Sequence, residues 1–167
     1  MDFTLADPRP DATDILFVGE LRKIKGVDIL LYALAELKLG GPVTATIVGS
    51  GPDAERLKAM ASALGLDGLV TFAGALPVRE AFSLGRVKVV PSLAESFPYV
   101  VLDATAAGMP LIATNVGGIP EIVADTDTVL IECSRPRLER RSAMRRPQRD
   151  VPSASETRSR AISRSQP

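Results

Sequence analysis

The sequence predicts an α/β fold of the Rossmann-like type, a doubly wound parallel sheet of about six strands with helices on both faces. Three observations predict it. From Asp14 onward, short β-branched runs alternate with longer segments of helical period. The short runs are continuously apolar, which is typical of strands covered by helices on both faces. Glycines follow the first runs, at Gly19, Gly49 and Gly74, where strands turn into loops.

The predicted strands share an apolar, β-branched composition. They cover Ile15–Val18, Val43–Val48, Leu69–Ala73, Val87–Pro91, Leu111–Thr114 and Thr128–Ile131. Sheets of this kind bind ligands at the carboxyl ends of their strands, so the loops that follow the strands are the predicted functional segments. These loops are Gly19–Lys25, Gly49–Pro52, Gly74–Pro77, Ser92–Phe97 and Asn115–Pro120.

The segments between the strands carry apolar residues at helical spacing. The predicted helices cover Val27–Leu39, Asp53–Leu64, Pro77–Leu84, Pro98–Ala107 and Pro120–Val123. Gly40–Gly41–Pro42 ends the first of them, because glycine and proline cannot continue a helix well. Pro98 suits the first helical position, where a missing N–H costs nothing.

Charge divides the chain of 167 residues into two unlike parts, although the formal net charge is zero. Residues 1–133 hold ten Lys and Arg against seventeen Asp and Glu, whereas residues 134–167 hold ten Arg against three acids. The acidic body argues against nucleic acid as the main partner. In the tail, Arg, Ser, Pro and Ala make up twenty-four of thirty-four residues, so we expect it to be disordered.

Cysteine, histidine and hydropathy narrow the class of protein. The single cysteine, Cys133, fits a reducing compartment, and no apolar run approaches the roughly 20 residues of a membrane span, so a cytoplasmic protein is expected. Histidine is absent, which leaves chemistry to carboxylates, cations and backbone dipoles. The expected parts are an N-terminal extension (1–14), one domain (15–133) and the tail (134–167).

Three cations, Arg22, Lys23 and Lys25, crowd the entrance of the first predicted helix. The helix macrodipole already places partial positive charge at this end, so we expect an anion to offset them. The sharper interpretation is a phosphate site, in which backbone N–H groups and these cations meet a diphosphate. An ordinary solvated loop is the alternative.

Two further motifs have plain explanations. Gly49-Ser50-Gly51 resembles part of a dinucleotide fingerprint, but no acid follows about twenty residues later, and a tight turn alone explains both glycines. Asp125-Thr126-Asp127 has the spacing of a metal-binding pair, yet aspartates before a strand commonly form turns. Since no histidine or further acid cluster supplies a coordination shell, no metal or cofactor is predicted.

Glu95 and Asp103 flank the start of the helix at Pro98, with Glu95 in the preceding loop. Both can therefore face one ligand near the N-terminus of this helix. Two acids near a phosphate make sense if they accept hydrogen bonds from sugar hydroxyls. A helix cap beside a solvated acid is the alternative.

Six ordered blocks carry a resemblance to a known family. They are Phe17–Gly26, Ile47–Pro52, Val70–Gly74, Pro91–Ser92 with Glu95–Pro98, Ala106–Thr114 and Gly117–Glu121. Together they resemble the group 1 glycosyltransferases, retaining enzymes of the GT-B architecture, which consists of two Rossmann domains. The match covers about Ile15–Val123. It implies the C-terminal half of a GT-B fold, the domain that binds a nucleoside-diphosphate sugar such as one based on UDP or GDP.

The resemblance implies roles for the cations and acids. Lys25 matches a family lysine that contacts the donor phosphates. Glu20 stands where the family usually has a second phosphate-binding residue, an arginine, and Arg22 lies close enough to replace it. Glu95 matches a glutamate that contacts the donor sugar, and Asp103, shorter by one methylene, matches one that contacts the ribose. Lys25, Arg22 and Glu95 are thus the expected catalytic residues.

The remaining implied contacts come mainly from backbone. The amides near Ser96–Pro98 would meet sugar and diphosphate at a helix N-terminus, and the segment Gly74–Leu76 would border the nucleobase. The residues expected to contact the donor are Gly19, Gly49, Gly51, Gly74, Ala75, Leu76, Ser96, Phe97, Pro98 and Asp103.

The chain departs from the resemblance at both ends. The family's N-terminal acceptor domain has no counterpart, so a missing domain or a partner chain is expected to supply it, and the isolated chain is expected to be inactive in transfer. After Ile131 the basic residues change from mixed Lys and Arg to Arg alone. An out-of-frame reading of a GC-rich gene would give this change, so a frameshift or truncation near Cys133 is expected.

A non-catalytic nucleotide-binding remnant or interaction domain is the alternative function. A third is that the tail binds an anionic membrane or nucleic acid.

Overall fold

The computed structural model describes residues 8–132. In this range, six strands alternate with five α-helices. The strands are β1 (Thr13–Val18), β2 (Ala45–Val48), β3 (Val70–Gly74), β4 (Gly85–Val90), β5 (Leu111–Thr114) and β6 (Val129–Ile131). The helices are α1 (Val27–Leu37), α2 (Ala54–Ala63), α3 (Val78–Phe82), α4 (Tyr99–Ala106) and α5 (Ile119–Val123). A one-turn 3-10 helix, Lys23–Lys25, precedes α1.

All six strands form one parallel sheet in the order β3-β2-β1-β4-β5-β6. Strands β2 and β3 follow on one side of β1, and strands β4, β5 and β6 follow on the other side. The order therefore reverses between β1 and β4, which leaves a crevice at their carboxyl ends. This is the Rossmann-like sheet that the sequence predicts.

Helices cover both faces of the sheet, as the continuous apolar strands indicate. On one face, α1 and α2 bury residues such as Leu31 and Leu57 against Phe17 of β1 and Ile47 of β2. On the other face, α3, α4 and α5 pack against residues that include Leu16 of β1. A leucine removed from water in this way contributes about 1.5–3 kcal/mol, so the two apolar layers are the main source of stability.

The predicted elements are all present, with ends that differ by one to two residues in most cases. One correction concerns the first strand, since β1 begins at Thr13, two residues before the predicted Ile15 and within the predicted extension 1–14. Backbone pairing of Thr13 with Gly85 extends the strand there, and the polar sequence gives no apolar signal for it. The 3-10 turn was not predicted. Residues 1–7, Cys133 and the predicted tail 134–167 lie outside the described residues.

Candidate functional site

The loops after β1 and β4 meet at the crevice where the strand order reverses. Lys25 follows β1 and Glu95 follows β4, and Lys25 Nζ lies 2.5 Å from Glu95 Oε1. The Glu95 side chain is only 6% exposed, whereas that of Lys25 is 26% exposed. The structure therefore joins two predicted residues, 70 positions apart in the sequence, in one ion pair across the crevice.

Two hydroxyl groups support the Glu95 carboxylate, one directly and one through the backbone of Ser92. Ser92 Oγ donates a hydrogen bond of 2.7 Å to Glu95 Oε1. Thr114 Oγ1, at the end of β5, donates in turn to the carbonyl of Ser92 at 2.6 Å. Ser92 and Thr114 are both buried, so the carboxylate is fixed by a chain of contacts that begins in the core. Such support gives a binding group a defined position before a ligand arrives.

Close backbone packing fixes the same loops. Gly117 has φ 55°, and a Cβ built there would lie 1.7 Å from the carbonyl oxygen of Glu95. Only glycine allows the loop after β5 to approach the Glu95 loop this closely. The amide of Leu93 also donates to the carbonyl of Ile24 at 2.8 Å, which ties the loop after β4 to the loop after β1.

A cleft of about 290 Å³ opens above the ion pair. Of the predicted site residues, Gly19, Lys25, Glu95, Phe97 and Pro98 line it. Its full lining is Phe17, Val18, Gly19, Glu20, Lys25, Val90, Ser92, Glu95, Phe97, Pro98, Tyr99 and Val100. The lining of the cleft thus includes a cation, Lys25, the carboxylate of Glu95, and the aromatic residues Phe97 and Tyr99.

A second cleft of about 280 Å³ lies beside the first. Both clefts share Val18, Gly19 and Glu20, so the end of β1 borders the two. The predicted residues Gly49, Ala75 and Leu76 line the second cleft. Its other residues are Val48 and Ser50. The two clefts run side by side along the carboxyl ends of β4, β1, β2 and β3.

The family of the chain follows from comparison with known proteins. The family model described as "Glycosyl transferases group 1" matches residues 6–138. The match spans most of the chain, including the two cleft regions. The chain belongs to the group 1 glycosyl transferases.

Curated relatives of this glycosyl transferase chain are much longer than the chain itself. It is 37% identical over 124 residues to a D-inositol 3-phosphate glycosyltransferase of Segniliparus rotundus, a match that covers 70% of this chain and 28% of the relative. It is also 37% identical over 138 residues to a D-inositol 3-phosphate glycosyltransferase of Frankia alni, with 75% and 34% covered. The chain therefore spans about a third of the length of the curated relatives it matches.

Solved structures show the same fold. HepE from Anabaena, in complex with UDP-glucose, matches with a TM-score of 0.69 and 24% identity, over 81% of this chain and 42% of that chain. Sucrose-phosphate synthase from Thermosynechococcus elongatus matches with a TM-score of 0.67 and 27% identity, over 81% and 38%. The six-stranded sheet is thus the sheet of a GT-B glycosyltransferase domain.

Of the three cations in the first loop of the glycosyl transferase chain, Lys25 lines the first of these two clefts, and Arg22 and Lys23 line neither. Arg22 instead binds Glu20, with its Nε 2.7 Å from Glu20 Oε1, and both side chains are about half exposed. Lys23 is exposed in the 3-10 turn. The entrance of α1 also carries Asp28 in its first turn, which offsets part of the positive charge.

Four other predicted residues, Gly51, Gly74, Ser96 and Asp103, are not in the lining of either cleft. Gly51 packs against the backbone of Leu21, and Gly74 accepts a hydrogen bond of 2.7 Å from the amide of Gly49. Ser96 belongs to the Glu95 loop. Asp103 lies one turn further along α4 than Tyr99 and is half-buried. Glu95 thus lines the first cleft, whereas Asp103 lines neither cleft.

One buried charge near the site was not predicted. Lys88 of β4 is fully buried, and its Nζ has no hydrogen-bond partner among the described residues. The Nζ lies 4.3 Å from the centroid of the Phe82 ring. Burial lowers the pKa of Lys88 to about 7, and the nearby Asp103 carboxylate opposes that shift. The sequence signal was a lysine within an otherwise apolar strand, Val87–Pro91.

The remaining features are the Asp125–Asp127 segment, metal-binding groups and membrane spans. Asp125 and Asp127 lie in the exposed loop between α5 and β6. Within residues 8–132, no group of three or more His, Cys, Asp or Glu side chains is arranged to hold a metal ion. In the same range, no helix is both long and apolar enough to cross a membrane.

Proposed function

We propose that this chain is the donor-binding domain of a retaining glycosyltransferase, which binds a nucleoside-diphosphate sugar for transfer of its glycosyl group to an acceptor. The Lys25–Glu95 pair in the crevice carries this proposal. It places one cation suited to a diphosphate and one carboxylate suited to sugar hydroxyls in contact with each other in the lining of the same cleft. HepE, which has the same fold, was solved with UDP-glucose bound.

The contacts of Lys25 leave it able to bind a phosphate. Its ammonium group has three N–H donors, and the described contact with Glu95 uses one of them. Because its side chain is 26% exposed, the others can reach oxygen atoms of a ligand in the cleft. A cation in this position would also stabilise the charge that develops on the diphosphate as it leaves the sugar.

The contacts of Glu95 suit it to recognise the sugar. Within the described residues, Lys25 and Ser92 both donate to Oε1, which leaves Oε2 to accept hydrogen bonds from sugar hydroxyls. A hydrogen bond to an ionised group contributes about 1.5–3 kcal/mol, enough to distinguish a nucleotide sugar from the bare nucleotide. The second cleft, bordered by Ala75 and Leu76, would receive the nucleoside.

The proposal assigns the two residues different effects. Lys25→Ala is expected to weaken binding of a nucleoside diphosphate and of its sugar conjugate alike, by about 1.5–3 kcal/mol. Glu95→Gln is expected to spare the nucleoside diphosphate and to reduce only the additional affinity that the sugar provides. Titration calorimetry with UDP, GDP and ADP, each with and without glucose attached, measures both effects.

Two controls separate binding from folding. Lys58→Ala removes a half-exposed lysine from α2, outside both clefts, and should leave binding unchanged. Lys25→Ala leaves the buried Glu95 without its cation, so thermal unfolding of each variant must show that the domain is folded at the assay temperature. If the unmodified chain binds none of the three nucleotides or their sugars at millimolar concentration, the proposed function is wrong.

A further inference from the structure

The cleft contains a carboxylate where the proposed ligand is anionic. Glu20 lines both clefts, and together with Val18 and Gly19 it forms the border between them. A diphosphate that extends from the nucleoside side to the sugar side would have to pass this border. On charge alone, Glu20 would repel it.

Arg22 alters that expectation. The Nε of Arg22 lies 2.7 Å from Glu20 Oε1, so the ion pair is made through Nε. A guanidinium has five N–H donors in a fixed plane, and a contact through Nε leaves the two terminal nitrogens available. The pair thus presents hydrogen-bond donors beside the border, where Glu20 alone would present only acceptors.

The backbone between the two residues is held in place. Leu21 is 2% exposed, its amide donates to the carbonyl of Ser50 at 2.9 Å, and its carbonyl accepts from the amide of Asp53 at 3.0 Å. Arg22 has an extended backbone, with φ −127° and ψ 153°. The amide of Arg22 donates to the carbonyl of Glu20 at 3.0 Å, which turns the chain at Leu21. Leu21 is buried, whereas Glu20 and Arg22 on either side of it in the sequence are exposed to solvent.

We propose that Glu20 is a positioning residue, which holds Arg22 so that its terminal nitrogens bind the diphosphate of the donor. This inference rests on the function proposed above and adds a second cation to the Lys25 site. The exposed Glu20–Arg22 pair contributes little to folding, because both side chains are about half exposed. Its main effect is therefore expected on ligand binding.

The two possible roles of Glu20 predict opposite signs. If Glu20 only adds negative charge, Glu20→Ala tightens binding of a nucleoside diphosphate. If Glu20 positions Arg22, Glu20→Ala weakens binding about two- to fivefold, although it removes a repelling charge. Arg22→Ala is expected to weaken binding about tenfold, as the loss of one charged hydrogen bond would.

The experiment is a double-mutant cycle, with the affinity for UDP, GDP and ADP measured for the unmodified chain, both single variants and the double variant. In the Arg22→Ala background, Glu20→Ala is expected to tighten binding about two- to fivefold, because Glu20 then only repels. Glu80→Ala is the matched control. It breaks another half-exposed Arg–Glu pair, Arg9–Glu80, which lines neither cleft, and should change nothing.

The outcomes separate this inference from the proposed function. Weakening by Glu20→Ala that reverses sign in the Arg22→Ala background supports it. Binding by the unmodified chain that is unchanged or tightened in Glu20→Ala overturns the inference and leaves the proposed function intact. Failure of the unmodified chain to bind any of the three nucleotides overturns both.

Discussion

Replacing Lys88 by methionine should stabilise the domain at neutral pH. The lysine amine is buried without a hydrogen-bond partner in the described structure, and its pKa is lowered from 10.5 to about 7. The unfolded chain therefore binds one more proton than the folded chain between about pH 7 and 10.5. Stability rises with pH across this window and is lowest at and below its lower end. Methionine has a similar length and carries no charge to bury.

The magnitude follows from the two pKa values. Compared with a lysine whose pKa is the same in the folded and unfolded chain, Lys88 lowers the free energy of unfolding by about 4 kcal/mol at pH 7 and by about 1 kcal/mol at pH 10. The Phe82 ring, 4.3 Å from the ammonium, offsets part of the cost, by up to about 2 kcal/mol. We therefore expect Lys88→Met to raise the free energy of unfolding by about 2–4 kcal/mol at pH 7 and by much less at pH 10.

Urea unfolding followed by circular dichroism at pH 7, 8, 9 and 10 measures the difference, provided that the transition is two-state. The difference in free energy of unfolding between the variant and the unmodified chain is used at each pH, because contributions from the other titrating groups cancel in it. Lys58→Met, at a half-exposed position on α2, is the control and should show no such pH dependence. A Lys88→Met variant that is less stable at pH 7, or whose gain is the same at every pH, would refute the reasoning.

Two further predictions concern the support of the clefts. Gly49→Ala should destabilise the domain by about 2 kcal/mol or more, because φ is 146° and the new Cβ would lie 1.8 Å from the carbonyl oxygen of Gly19; unchanged urea unfolding would contradict this. Thr114→Val removes the 2.6 Å hydrogen bond to the carbonyl of Ser92 and should cost about 1 kcal/mol of stability. The same variant should reduce the sugar-dependent part of binding, since Ser92 holds Glu95, and calorimetry with UDP and UDP-glucose checks this.

Much of the fold could be predicted from local sequence. Hydrophobic period and glycine or proline breaks depend on neighbouring residues, so the sequence alone placed six strands and five helices close to their observed ends. β1 shows the limit of this reasoning. Its first residue, Thr13, is polar, and it joins the strand because Gly85 pairs with it across the sheet. The interaction that decides the boundary is absent from the local pattern.

The sequence also named the central residues of the candidate site, but not their contacts. Motif spacing pointed to Lys25 and Glu95 separately, because each follows a predicted strand. Their ion pair, and the hydroxyl groups of Ser92 and Thr114 beneath it, depend on β1, β4 and β5 being neighbours in the sheet. Strand order is a property of the whole fold, so no local pattern contains it.

Tertiary structure alone distinguished residues that look equivalent in the sequence. Arg22 and Lys25 are both cations of one loop, yet one binds Glu20 and the other lines the cleft. Lys88 appears as a single charge in an apolar run, and only the packing of helices on that face of the sheet shows that it is buried. Composition and period specify which elements form. The direction and environment of each side chain are decided by how those elements pack, because burial and charge pairing arise between residues far apart in the chain.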